Sequence, residues 1–226
     1  MNFDYTYIIL FKLIVFEPVT ILTNLFIASY CLYAFLKINP LKKTLAHHWA
    51  RFFLFIGTSS IIGSIAHGVH FQLGSAFLNT TIFLMNAISL IAIYHCFKAA
   101  NIYFSIGRKG PSKYTTWLVI GWIVVLLIFT FLQNNFLLIK IHAGIVLTYS
   151  LIIHLITYKK TGSPYIAWGI IISFLSIIIH SLKLSISEWF NYKDIAHVIM
   201  LISLICIYKG VKIKMFEPLN DVSKGV

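Results

Sequence analysis

Long apolar runs separated by short polar breaks dominate the chain. A transmembrane helix needs about 20 consecutive, mostly apolar residues. Seven runs approach or reach this length, at about 18–37, 50–71, 76–99, 114–132, 136–157, 164–186 and 191–210. The breaks between them carry turn-forming residues, for example at 39–40, 107–111, 133–135 and 162–164. The pattern predicts an all-α polytopic membrane protein, a seven-transmembrane helix bundle.

The two ends of the chain depart from this pattern. Residues 1–17 are apolar but are interrupted by Lys12 and Glu17, so we expect an interfacial lead-in to the first span. Pro18 suits the first turn of a helix. The seven-helix domain then covers residues 18–212, and the polar residues 213–226 form a predicted tail.

The composition leaves little chain for a soluble domain. Hydrophobic residues make up 59% of the sequence, charged residues 11%, and the mean hydropathy is +0.89. Soluble domains carry roughly 25% charged residues. The cysteines Cys31, Cys96 and Cys206 lie far apart in apolar runs, which indicates packed thiols and no disulfide framework.

The net charge of +12 reflects topology. Fourteen of the 18 basic residues fall in alternate loops and the C-terminal part: Lys37, Lys42, Lys43, Arg51, Lys98, Arg108, Lys109, Lys113, Lys159, Lys160, Lys209, Lys212, Lys214 and Lys224. The positive-inside rule then predicts an N-terminus outside and a C-terminus in the cytoplasm. Basic loops are therefore no evidence for a nucleic-acid partner.

With this topology, the position of a residue along its helix gives its depth in the membrane, at about 1.5 Å per residue. Polar residues of five spans fall into one layer near the outer surface: His67, His70, Asn79, Asn86, His142, His180, Asp194 and His197. Each residue alone is typical of a hydrogen-bonded or interfacial group. Ionisable groups in membrane helices are costly and usually face an interior cavity, so their common depth favours a site.

Helical spacing places several of these residues on shared faces. Ser60, Ser64 and His67 fall at i, i+4 and i+7 of the second span, and Asp194 and His197 are three apart in the last. A polar stripe in the sixth span leads through His180 to Lys183. Small polar residues also mediate helix packing in membranes, which remains an alternative for the serines.

Imidazoles and a carboxylate are suitable ligands for Zn²⁺, and three protein ligands leave one position for water. We expect His67, His180 and His197 as the metal ligands. Asp194 would hold the water, act as general base or orient a ligand histidine. Ser60 or Ser64 would donate to a developing oxyanion. Further candidates are His70, Asn79, Asn86, His142 and Lys183. A site at this depth would take a lipid ester or amide.

The layout resembles the CREST superfamily of seven-span membrane hydrolases, which includes alkaline ceramidases and adiponectin-receptor-like proteins. The resemblance rests on the seven spans, on GTSSIIGSIAHGVHF in the second span and on NYKDIAHVIMLI in the seventh. It implies a zinc-dependent, ceramidase-like hydrolase of lipid amides. The family serine lies four residues before its histidine, where this chain has Gly63, and the family aspartate of span three is absent. The family has two histidines in span seven, whereas this chain has only His197.

Two other functions remain open. His67 together with His180 or His197 could ligate a b-type haem in a membrane redox protein. The histidines could also belong to a non-catalytic receptor or transporter that senses pH. Abundant isoleucine, lysine and asparagine suggest an AT-rich coding sequence, so we expect a bacterial plasma membrane.

Overall fold

The computed structural model describes residues 6–105, 113–133 and 136–216. Within these ranges a β-hairpin precedes a bundle of helices. The strands are β1 (Tyr7–Leu10) and β2 (Leu13–Phe16). The helices are α1 (Pro18–Ile38), α2 (Thr44–Ser105), α3 (Lys113–Gln133), α4 (Phe136–Ile156), α5 (Ser163–Leu182) and α6 (Tyr192–Phe216).

The predicted lead-in forms an antiparallel hairpin. Tyr7 pairs with Phe16, and Phe11 and Lys12 turn the chain with positive φ angles of 48° and 70°. The Phe11 side chain at the tip is 93% exposed. The hairpin is therefore an apolar structure with an exposed tip, and its second strand contacts α2 through the hydrogen bond from Gln72 to the Ile14 carbonyl oxygen. Its placement in the membrane interface stays a prediction.

Helix α2 contains two predicted spans. Gly74 separates them with φ 79° and ψ 176°, a conformation that glycine adopts without the steric cost of a side chain. We name residues 44–73 the first arm and residues 75–105 the second arm. With the arms counted separately, the described ranges contain seven helices, at the positions that the apolar runs predict.

Six of these helices are long and apolar enough to cross a membrane, which indicates an integral membrane protein. In α3 the qualifying apolar stretch, Trp117–Leu132, is shorter. The span predicted at about 114–132 is therefore not confirmed, so the count of seven spans and the N-out topology stay predictions. The breaks at 107–111 and 134–135, and residues 217–226 of the predicted tail, lie outside the described residues.

Contacts between helix termini identify the two ends of the bundle. At one, which we name the Glu17 end, Glu17 contacts the first arm of α2 and the start of α6. At the other, which we name the His48 end, the Lys43 ammonium donates to the Met215 carbonyl oxygen over 2.9 Å.

Close packing of α5 against α6 depends on two glycines. A Cβ on Gly169 would lie 2.6 Å from Ile207 Cγ1 and 2.9 Å from the Ser203 carbonyl oxygen. A Cβ on Gly210 would lie 2.5 Å from the Gly162 carbonyl oxygen. These separations are too short for carbon, so the two helix backbones approach closely because these positions lack side chains.

We predict that Gly210→Ala destabilises the bundle by about 1–3 kcal/mol, because the added methyl forces the helices apart. Gly144→Ala is the matched control, since no heavy atom lies within 4 Å of its added Cβ. Its greater helix propensity should leave stability unchanged or raise it by up to about 1 kcal/mol. Thermal unfolding in detergent compares the two variants, and equal midpoints would contradict the packing account.

A reporter fused to the C-terminus tests the predicted topology. We expect cytoplasmic activity, because fourteen basic residues share one side of the predicted spans. A reporter active only outside the membrane would overturn the orientation, and with it the assignment of the Glu17 end to the outer surface.

Candidate functional site

Glu17 lies at the centre of the polar cluster. It directly precedes α1 and has a left-handed backbone conformation, and its side chain is only 4% exposed. One carboxylate oxygen accepts a hydrogen bond from His67 Nδ1, and the other accepts one from the Lys193 ammonium. A single carboxylate thus joins α1, the first arm of α2 and α6.

Electrostatics favour the ionised form of Glu17. Burial alone would raise the pKa of this carboxyl, but the hydrogen bonds and charges of His67 and Lys193 outweigh burial and lower the pKa to about 2. The carboxylate is therefore charged at neutral pH. It acts as an acceptor and as a fixed negative charge beside the His67 ring.

Asp194 forms a second link between α1 and α6. Its side chain is fully buried, and Oδ1 accepts the Thr20 hydroxyl at 2.7 Å. Oδ2 accepts the backbone N–H of Asn191 at 2.8 Å, while the Asn191 side chain accepts the N–H of Lys193. This reciprocal pattern caps the start of α6. The contacts give Asp194 a structural role, and the orienting of a histidine that we expected of it is performed by Glu17.

The three predicted ligand histidines approach the same end of the bundle. His197 interacts electrostatically with His67, His180, Lys193 and Glu17. The His180 ring also packs edge-on against Tyr192, with centroids 5.2 Å apart. The three rings therefore interact with one another, but each ring has a different partner at Nδ1.

Those partners define which ring nitrogen carries the proton. His67 Nδ1 faces a carboxylate, which only accepts, so Nδ1 donates. His197 Nδ1 lies 3.0 Å from Thr23 Oγ1, and it donates when the single proton of that hydroxyl is directed to the Thr20 carbonyl oxygen 3.1 Å away. His180 Nδ1 lies 3.1 Å from the Lys140 ammonium and accepts from it.

This proton arrangement tests the predicted zinc site. A histidine that donates from Nδ1 can bind a metal through Nε2, as His67 and His197 could. His180 in contrast carries its proton on Nε2 and uses Nδ1 to accept from Lys140, so neither ring nitrogen fits a metal in this arrangement. In the described part of the chain, no three histidine, cysteine, aspartate or glutamate side chains are grouped to hold one metal ion. The residues do not fit zinc in this arrangement, and the ligand set remains a prediction.

The predicted serines contact the backbone. The Ser64 hydroxyl lies 3.1 Å from the Ser60 carbonyl oxygen and 3.3 Å from that of Ile21, so it contacts α1 from the first arm of α2. Ser60 itself is buried. These contacts favour helix packing as the role of Ser64.

The remaining candidates differ in burial and in their contacts. Asn86 is fully buried, and its amide group has no hydrogen-bond partner among the described residues. His142 is buried and accepts from Trp122 Nε1 over 3.3 Å. Asn79 is exposed, and Lys183 is exposed as the C-cap of α5. The side chain of His70 lies outside the described residues.

Sequence reasoning missed Glu17, Lys140 and Lys193 as members of this cluster. The available signal was an acid immediately before Pro18 at the start of a span, because an ionisable residue at a membrane boundary needs a partner. Lys140 and Lys193 were counted only as charges, although both lie on the side predicted to be poor in basic residues.

We predict that Lys193→Gln destabilises the protein by about 3 kcal/mol, because it leaves the buried Glu17 carboxylate without its ammonium partner. Lys183→Gln removes the same charge from an exposed position at the same end and should change stability by less than about 0.5 kcal/mol. Thermal unfolding in detergent measures both. Equal effects would show that Glu17 does not depend on Lys193.

Comparisons with known proteins identify a family without assigning an activity. A family model described as "Family of unknown function (DUF6962)" matches residues 19–215. No curated protein matches the chain, and no solved structure matches it. Because the family match covers most of the sequence, the chain belongs to the DUF6962 family.

Proposed function

We propose that the protein is a membrane-embedded hydrolase that cleaves a lipid amide or ester at the Glu17 end of the bundle. The observation that carries the proposal is the buried Glu17 carboxylate bonded to the His67 imidazole, with His180 and His197 in the same region. A bacterial plasma membrane is the compartment that we propose from composition.

The Glu17–His67 pair has the form of an acid–base unit. A carboxylate at Nδ1 fixes the tautomer of the ring, so Nε2 is the nitrogen that exchanges a proton with water or substrate. Glu17 remains ionised and stabilises the imidazolium that forms when the ring accepts a proton. In this proposal His67 removes a proton from the attacking water and returns it to the leaving group.

Positive charge at the same end would stabilise the tetrahedral intermediate. The ammonium groups of Lys140 and Lys193 lie among the histidines, so an oxyanion formed there meets a favourable field. Ser60 and Ser64 are the sequence-based candidates for this role, but the contacts of Ser64 with two carbonyl oxygens favour the lysines.

The position of the cluster suits a lipid substrate. Glu17 and Lys193 lie at the ends of membrane-length helices, the depth at which lipid amide and ester bonds meet the polar headgroups. Apolar side chains of α1 such as Leu22 and Phe26 are exposed below it, where acyl chains would lie.

Zinc dependence is a separate part of the proposal. A bound zinc ion would supply a hydroxide nucleophile at neutral pH. His67 and His197 present suitable tautomers, whereas His180 would have to leave Lys140 to serve as the third ligand. The acid–base steps above therefore assign no role to the metal.

A non-catalytic receptor or transporter is the second candidate. It is favoured by the contacts of Asp194, whose two oxygens are both used to hold helices together. If the network only joins helices, mutations in it would lower the stability of the protein, and the wild-type protein would show no turnover.

Hydrolysis in proteoliposomes separates these functions. Fluorescent ceramide and a fluorescent acyl ester are the probes, and we expect His67→Gln to lower the turnover of one of them by about 100-fold or more. Glu17→Gln should also lose turnover, whereas Glu188→Gln, an exposed control at the same end, should retain it. Elution volume in gel filtration checks that the variants fold. Equal turnover in His67→Gln and wild type would contradict the proposal.

Metal analysis tests zinc dependence independently. The ligand set predicted from the sequence requires about one zinc per purified chain, lost in His67→Ala and His197→Ala while the fold survives, whereas the arrangement of His180 and Lys140 predicts none. Full occupancy in both variants would exclude this ligand set. Absorbance in the Soret region of the purified protein would favour the haem alternative.

A further inference from the structure

Three imidazoles meet at the His48 end, on the opposite side of the bundle from Glu17. His47 and His48 lie near the start of α2, and His95 lies on its second arm. The His48 and His95 rings are 5.2 Å apart between centroids, and the His47 ring is 5.5 Å from the first and 6.5 Å from the second. The turn at Gly74 lets the arms pack side by side and so brings these rings together.

The contact between His48 and His95 is a hydrogen bond. Their Nδ1 atoms are 2.9 Å apart, so one ring donates a proton that the other accepts. The Phe55 ring stacks on His95 at 5.7 Å and 14°, which holds that imidazole in place. His95 is buried, His48 half-buried and His47 exposed, so the three rings lead from the surface into the bundle.

The charges around these rings are positive. Arg51 and Lys98 both act electrostatically on His48, and Arg51 also acts on His95. In the described ranges the acidic residues are Glu17, Glu188 and Asp194, and all three lie at the Glu17 end. The α2 N-terminus adds the positive end of a helix dipole beside His47 and His48.

This charge distribution selects the class of ligand. Three imidazoles alone would suit a transition-metal ion. Arg51 and Lys98 would repel a cation, and no three ligands in the described ranges are grouped to hold one. Imidazole N–H groups and a guanidinium are in contrast suitable donors to phosphate oxygens.

The position of the cluster selects the source of the phosphate. His47 and His48 lie three and four residues from the start of a membrane-length helix, so about 5–6 Å along it. That depth is the headgroup region, and the predicted topology places it at the cytoplasmic leaflet, which carries the anionic lipids. We propose that this cluster binds the headgroup phosphate of an anionic phospholipid. Arg51, Lys98 and His47 contact the phosphate, together with the Nε2–H of the ring that accepts in the His48–His95 hydrogen bond.

Retention of phosphatidylglycerol by the purified protein tests this proposal. Native mass spectrometry counts the bound lipid, and we expect Arg51→Gln to weaken binding about 5-fold, as loss of one basic contact predicts. His48→Asn should weaken it too. Lys159→Gln is the matched control, because it removes one charge from an exposed loop at the same end. It should bind as wild type does.

Each other outcome contradicts the assignment. Equal losses in Arg51→Gln and Lys159→Gln would show general charge attraction and no site. If inorganic phosphate raises the unfolding temperature as much as phosphatidylglycerol does at equal phosphate concentration, a lipid is excluded as the ligand. If zinc, added alone, binds the wild-type protein but not His48→Asn, the cluster is a metal site. If His48→Asn fails to fold, the exposed Arg51→Gln variant decides.

Discussion

A carboxylate removed from water must be paired, and Glu17 finds its partners on two other helices. The penalty for burying an ion is several kcal/mol, so the contacts with His67 and Lys193 constrain where the first arm of α2 and α6 can lie relative to α1. The Thr20–Asp194 hydrogen bond repeats the α1–α6 link within one helical turn. Together these contacts define the geometry of the Glu17 end.

The same contacts prepare the chemistry that we propose. A ring held by a carboxylate at Nδ1 has one tautomer and one orientation, so His67 is positioned for proton transfer before any substrate binds. Thr23 contacts Nδ1 of His197, as Glu17 contacts Nδ1 of His67. Lys140 donates to Nδ1 of His180, so the proton of that ring lies on Nε2. Glu17 and His67 therefore join helices and are also the residues to which we assign the proposed proton transfer, so loss of turnover in their variants must be compared with loss of folding.

Much of the fold could be predicted because a membrane imposes length on its helices. Runs of about 20 apolar residues coincide with the seven helices of the described ranges. The depth argument predicts a common level for His67, His180 and His197, and His197 interacts electrostatically with both other rings. Periodicity could not identify the partner of each ring, because partners depend on how helices rotate against one another. Glu17 was missed for this reason, as was the pairing of His48 with His95 across the turn at Gly74.

Boundaries were predicted less well than helices. The sixth run suggested a helix to residue 186, but α5 ends at Leu182, where Lys183 adopts a left-handed conformation. Apolar side chains continue past this point, so hydrophobicity alone does not mark the end. The hairpin was also not foreseen as a strand pair, because a ten-residue apolar stretch with one lysine is compatible with an interfacial helix.

The ionisation of Glu17 is the most direct test of the account. The chain has three glutamates, so selective ¹³C labelling gives three carboxyl signals, and Glu17→Gln assigns one of them. Because the folded-state pKa is depressed, the stabilisation exists above the ordinary value of 4.5 and is lost as pH falls towards about 2. We predict that the Glu17 carboxyl signal of the folded protein keeps the chemical shift of an ionised carboxylate as the pH falls from 4.5 towards about 2. Protonation at or above pH 4.5 would contradict a carboxylate paired with His67 and Lys193.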